Sequence, residues 1–171
     1  MIYFIRHGQT EYNKEGRFQG ILNIPLNAVG LAQAEKAAES LKDIKIDIIY
    51  TSPLDRAYKT AEIINKYHNV KIIIKDSLRE FDVGRYVENK TFEELPENIY
   101  NKLYDKTNYF GEEDIDNYRK NLFDFLDSLK DKKETILLVS HGGTYTQIYN
   151  RKTGVIMEAE IENCSPVLLD F

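Results

Sequence analysis

Apolar positions along the chain follow two rhythms. Residues 2–5, 46–50, 70–74 and 136–139 are short apolar runs rich in β-branched side chains, the pattern of strands buried on both faces. Between the first two lies NAVGLAQAEKAAESLK, with apolar residues at helical spacing, Asn27 placed to cap it, and Leu26 and Leu31 placed as a hydrophobic staple. The second run leads into TSPLDRAYKTAEIINKY. There Ser52 can cap a helix, Pro53 suits the first helical position and Asp55 completes a capping-box spacing, which puts Arg56 in the first turn. Residues 91–130 read as two further helices, TFEELPENIYNKLYDK and DIDNYRKNLFDFLDSLK. The second carries Tyr118, Leu122, Phe125, Leu126 and Leu129 on one face, with Asp114 or Asp116 at its start. A short helix is expected around residues 145–151, and SPVLLDF reads as a last strand.

The order β-α-β-α-β-α-α-β-α-β predicts an α/β fold: a three-layer α/β/α sandwich with a mostly parallel central sheet and right-handed crossovers. The 171 residues, 42% of them hydrophobic, suffice for one core, and residues 1–171 show no repeat or linker that divides them. The 23 basic and 28 acidic residues leave a net charge of −5. That balance argues against general affinity for nucleic acid or an anionic membrane, so any anion site must be local. Met1 runs straight into the first strand, without a signal-peptide pattern or a transmembrane span, and a cytoplasmic location is expected. Cys164 is the only cysteine, which excludes an internal disulfide and a multi-cysteine metal site.

Ligands of open α/β sheets bind at the carboxyl ends of the strands. Just past the four predicted strands stand Arg6 and His7, then Arg56, then Arg79 and Glu80, and finally His141. Two histidines, several arginines and one carboxylate make a poor metal site, because guanidinium cations repel a metal ion. They suit a dianionic phosphoryl group, which arginine grips with two planar donors and a permanent charge. A histidine whose other ring nitrogen donates to a carbonyl can attack phosphorus, splitting one hard displacement into two easier ones. Gly8 would permit the close, sharply turned backbone required there. Glu80, with its proton affinity raised, could protonate the leaving oxygen and then activate water.

The segments RHGQTEYNKEGRFQG, PLNAVGLAQAEKAAESL, YTSPLDRAYKTAEII, LREFDVGRY and LLVSHGG resemble, in order, the signatures of the histidine phosphatase superfamily, the phosphoglycerate-mutase-like enzymes. The resemblance implies that His7 is the phosphorylated nucleophile and Glu80 the proton donor and acceptor. It implies a phosphate pocket of Arg6, Arg56 and His141, with Asn13, Gln19, Gly20 and the Gly142 amide contacting phosphate or substrate. No metal or other cofactor is implied, and the expected partner is a small-molecule phosphate ester. Three stretches depart from the family: RYVENKT replaces its W-E-G, Gly111-Glu112-Glu113 replaces its G-E-S, and Thr144-Tyr145-Thr146 lacks an arginine often found after SHGG. They fall in or near the part of the family that covers the pocket and sets substrate choice, here residues 81–111.

The chain lacks the length for the insertions of true mutases, which favours a phosphatase over mutase-type phosphoryl transfer. An acid at Glu80 favours small esters over phosphohistidine proteins, whose leaving group needs less protonation. A silent phosphate-binding module is the alternative of a different class. A cysteine phosphatase fails because a C-x5-R loop on Cys164 would need arginine where Asp170 stands, and no P-loop is present. Arg79 and Arg85 read as solvated loop charges or as a grip on a second anionic group. Phe92, Tyr100, Tyr104, Tyr109 and Phe110 read as core or as the mouth of the site, and His68 as a surface residue.

Overall fold

A computed structural model describes residues 1–99, 113–154 and 161–169. The strands are β1 (Ile2–Arg6), β2 (Ile48–Thr51), β3 (Lys71–Ile74), β4 (Ile136–Ser140) and β5 (Val167–Leu169). They form one sheet in the order β3-β2-β4-β1-β5. The pairs β1–β4, β2–β4 and β2–β3 are parallel, and β5 lies antiparallel to β1. The helices are α1 (Glu11–Lys14), α2 (Ala28–Leu41), α3 (Asp55–Asn65), α4 (Ile115–Asp127) and α5 (Gly142–Thr153), with a 3-10 turn at Asp76–Leu78.

Every residue of β4 is buried, because its side chains alternate between two cores. Leu137 and Val139 pack with Ile5, Ile49 and the small faces of α2 and α3, notably Ala34, Ala38, Ala57 and Ala61. Ile136 and Leu138 pack with Ile2 and Phe4, with Tyr118, Leu122 and Leu126 of α4, and with Ile148 of α5. Helices thus cover both faces of a mostly parallel sheet, the expected three-layer α/β sandwich. A third, smaller cluster joins Val83, Val87, Leu95 and Ile99 to Phe18 and Phe81. It anchors the chain after Glu80 on the loop that follows α1.

Local signals were right where the cap was local. Asn27 caps α2 by accepting from Gly30 N–H, and Asp114 caps α4 by accepting from Asp116 and Asn117 N–H. At α3 the capping box does not form: the helix starts at Asp55, Leu54 occupies the cap, and Asp55 N–H donates to Asn23 Oδ1. Ser52 has a distant partner instead, described below. Helix α5 begins directly after His141, three residues before the expected start, because the buried histidine itself stands at the cap in an extended conformation. Helix α1 was not expected, although Thr10 and Asn13 form a reciprocal capping box at its start. In the expected helix from residue 91, residues 91–96 are turns and helical backbone starts at 97. Its remainder lies outside the described residues, as do Tyr100, Tyr104, Tyr109, Phe110, Gly111 and Glu112. Among the described residues, no helix is long and apolar enough to cross a membrane.

Candidate active site

His7 follows β1, with its N–H donating to the Ser140 carbonyl of β4 and its own carbonyl accepting from Asn163 Nδ2. Its ring lies within hydrogen-bond distance of two groups: Nδ1 is 2.7 Å from the Gly8 carbonyl, and Arg56 Nε donates to Nε2 at 3.2 Å. A carbonyl can only accept, so Nδ1 carries the proton and Nε2 presents a lone pair. Burial, with the Arg56 and Arg6 cations adding to it, holds the ring well below the ordinary histidine range and keeps it neutral. These constraints leave one nucleophilic nitrogen, facing a guanidinium.

Arg56 is nearly fully buried in the first turn of α3. Its Nη1 donates to the Leu22 carbonyl at 2.6 Å and its Nη2 to the Gly20 carbonyl at 2.8 Å. Burial lowers its pKa to about 10, so it stays a cation at neutral pH. Arg6, the last residue of β1, donates from Nη1 to the Ile161 carbonyl and lies against Gly142, where a Cβ would sit 3.5 Å from its guanidinium. His141 closes the group from the end of β4, its ring centroid 5.1 Å from that of His7 in an edge-on arrangement. Burial and the Arg56 cation keep this second imidazole neutral as well.

Glu80 is held by two backbone amides. Its Oε2 accepts from Gly143 N–H at 3.0 Å and its Oε1 from Phe81 N–H at 3.1 Å. Burial pushes its carboxyl above the ordinary range, against the opposing pull of these amides and of Arg56 and Arg6. The loop around it is clamped on both sides. The Arg79 carbonyl lies within hydrogen-bond distance of Tyr118 Oη (3.0 Å) and Thr144 Oγ1 (3.2 Å). Glu113 accepts from Arg79 Nη2 at 2.7 Å and from Asp82 N–H at 3.0 Å, bracketing Glu80. Ser140 Oγ donates to the Leu78 carbonyl, tying the same loop to β4.

The structure therefore brings together Arg6, His7, Arg56, Glu80, His141 and Gly142 from four strand ends, as expected from the sequence. Two expectations change in detail, those for Gly8 and Arg79. Gly8 does not adopt a left-handed turn; it is small because a Cβ there would lie 2.4 Å from the Gly30 carbonyl oxygen, where the loop crosses α2. Gly20 does turn left-handed (φ 49°), and its carbonyl holds Arg56. Asn13 and Gln19 meet at Thr10, whose N–H donates to Asn13 Oδ1 and whose hydroxyl donates to Gln19 Oε1. Arg79, expected to be solvated or to grip substrate, is half-buried and committed to Glu113. Arg85 is exposed, and His68 lies half-buried beyond α3. Sequence reasoning missed Ser52, Tyr118, Glu113 and Asn163 as supports of the site, and also Thr60, whose hydroxyl accepts from Gly8 N–H at 3.1 Å. Each acts across a long stretch of chain, for which local spacing carries no signal.

The sequence model of the histidine phosphatase superfamily (branch 1) matches residues 2–171. The chain belongs to this superfamily. A putative phosphoserine phosphatase of Hydrogenobacter thermophilus is 35% identical over 164 residues, 92% of this chain and 80% of that protein. A solved structure of a mutant phosphoserine phosphatase from Entamoeba histolytica, in complex with phosphoserine, superposes with a TM-score of 0.83 at 31% identity, covering 96% of this chain and 87% of the other. Phosphoserine phosphatase from the same organism, in complex with 3-phosphoglyceric acid, gives 0.81 at 30% identity with the same coverage. Family, relatives and site chemistry together make this histidine phosphatase a phosphatase of phosphate monoesters.

Proposed function

We propose that the chain hydrolyses small-molecule phosphate monoesters in two steps, with the phosphoryl group carried on Nε2 of His7. The observation that carries this reading is the His7 ring, with its proton committed to the Gly8 carbonyl and its lone pair facing Arg56. In the first step Nε2 attacks phosphorus, the bond to the ester oxygen breaks, and Glu80 gives its proton to the departing alkoxide. In the second step water attacks phosphorus, Glu80 takes a proton from it, and the phosphorus–nitrogen bond breaks to release inorganic phosphate. Arg6, Arg56, His141 and the Gly142 amide hold the phosphoryl oxygens throughout, supplying the charge stabilisation on which phosphoryl transfer depends.

Asn13, Gln19 and Gly20 border the substrate in this reading, and residues 81–111 cover it. The mechanism needs no metal, because arginine cations do the work of a Lewis acid. The relatives named phosphoserine phosphatases, and the complexes with phosphoserine and with 3-phosphoglyceric acid, support a small carboxylated phosphate ester as substrate. A cytoplasmic location, expected from the sequence, belongs to the same proposal. His7→Ala is expected to abolish turnover of an aryl phosphate, together with the acid-labile label left on the protein by a radioactive phosphate ester. Retained activity in that variant would overturn the proposal, and so would inactivation of the native enzyme by chelators. A screen of phosphorylated metabolites ranked by kcat/KM would identify the substrate.

A further inference from the structure

We propose that Ser52 is a positioning residue that fixes the proton of His141 on Nδ1 and so makes that nitrogen a hydrogen-bond donor to the transferring phosphoryl group. The inference deepens the reading of the site given above and rests on it. Ser52 and His141 are both completely buried, so neither draws a partner from bulk water. Ser52 Oγ lies 2.7 Å from His141 Nε2 and accepts from Leu54 N–H at 3.2 Å. Among the described residues these are its only two hydrogen-bond contacts.

A hydroxyl has one proton to place, and a backbone N–H cannot accept it. His141 Nε2 is the group left to take it, so Nε2 accepts and the proton of the neutral imidazole sits on Nδ1. In the opposite tautomer, Nε2–H would donate to Ser52, and both the serine proton and the Nδ1 lone pair would be buried without a partner. The chosen arrangement leaves a single unpaired group, Nδ1–H, and His141 Nδ1 is indeed buried with no partner. It stands on a ring packed edge-on against His7, whose own Nε2 accepts from Arg56 Nε. A buried donor without an acceptor is costly in a resting protein and is explained by a ligand that completes it. A phosphoryl oxygen is such an acceptor, whereas a lone pair at Nδ1 would repel the same anion.

The failed helix cap has its reason here. Ser52 sits where a capping hydroxyl would be expected, yet α3 starts later and without a side-chain cap, and the hydroxyl reaches His141 across 89 residues of chain.

The test is nitrogen-15 NMR of the histidine rings in the resting, full-length protein, with His141 assigned by its loss in His141→Gln. The expected spectrum shows a protonated Nδ1 and an unprotonated Nε2 for His141, and the Nδ1–H resonance moves when inorganic phosphate is added. Ser52→Ala is expected to lose the tautomer preference and to lower kcat on an aryl phosphate on the order of 10- to 100-fold. Ser52→Thr, which keeps the hydroxyl, is expected to restore both. A proton on Nε2 in the native protein overturns the proposal, as does a Ser52→Ala variant with unchanged tautomer and turnover. If Ser52→Ala does not fold, the native and Ser52→Thr spectra still decide. The tautomer is read without substrate, so its failure is distinct from failure of the phosphohistidine mechanism, which the His7→Ala experiment reports.

Discussion

At Gly143 the addition of one methyl group is expected to displace Glu80, the proposed acid, while sparing His7, the proposed nucleophile. A Cβ at this position would lie 2.5 Å from Glu80 Oε1 and 2.6 Å from Phe81 Cε1, whereas ordinary contact begins near 3.4 Å. The carboxyl is the end of a flexible side chain, so in Gly143→Ala it is the part that gives way, by about 1 Å. That retreat also strains the bond from Gly143 N–H that orients Oε2. A displacement of this size in a positioned catalytic group costs roughly 10²-fold, within the range of what acid catalysis contributes. The assay is kcat/KM, which covers only the steps through departure of the alcohol, measured on an alkyl phosphate and on an aryl phosphate. The alkyl ester needs protonation of its leaving oxygen and should lose about 100-fold, while the aryl ester should lose less than about 10-fold. Competitive inhibition by inorganic phosphate should stay within a few-fold of native. Equal losses on the two esters, or an alkyl rate within about twofold of native, would refute the placement of Glu80 as the acid.

Other consequences follow from burial and close approach. His7 and His141 are held neutral in the folded protein, while the unfolded chain protonates them below about pH 6.5. Stability should therefore fall as pH drops through that value, and a thermal melting series from pH 7.5 to 5 should show a shallower slope for His7→Asn than for the native protein. Glu80 has the opposite sign: burial raises its carboxyl, so the ionised form costs stability as pH rises through the folded value. Glu80→Gln should melt higher than native at pH 7 and lose turnover, and an unchanged or lower melting temperature would contradict this. In Gly30→Ala the new Cβ would fall 2.0 Å from the Gln9 carbonyl oxygen, a backbone atom that cannot yield. Chemical denaturation should show a loss of about 3 kcal/mol. The Cys164 thiol is buried and pushed up to about 12, so a thiol reagent at pH 8 should leave it untouched until denaturant is added.

What could be read in advance and what could not divide along a physical line. The strand ends were legible because parallel strands buried on both faces give continuous apolar runs, and the rule that ligands sit at their carboxyl ends converts four such runs into a site. His7, Arg56, Glu80 and His141 were found that way, and the helix caps at Asn27 and Asp114 came from contacts two or three residues away. Ser52 was misread because a local rule competed with a distant partner, and the buried imidazole of His141 won. Glu113 was visible only as a departure from the family, and its meaning appears once α4 delivers it beside Arg79 and Asp82. Gly8 was singled out for the close, turned backbone that attack on phosphorus would need, whereas what it makes room for is the Gly30 carbonyl, which spacing could not name. Residues 100–111, part of the stretch that sets substrate choice in the family, lie outside the described residues.

The position of β1 in the sheet also bears on when the enzyme can become active. Its two partners are β4, where Ile2 pairs with Ile136, and β5, where Ile2 pairs with Leu169. During synthesis, the strand that leads into His7 leaves the ribosome long before either of its neighbours exists. Until then His7 lacks the Ser140 carbonyl and the Asn163 side chain that fix its backbone. Pairings this distant in sequence are slow to close and come late in folding. Until β4 and the segment around Asn163 are in place, His7 is therefore an unplaced side chain, and the pocket it belongs to exists only in the closed sheet.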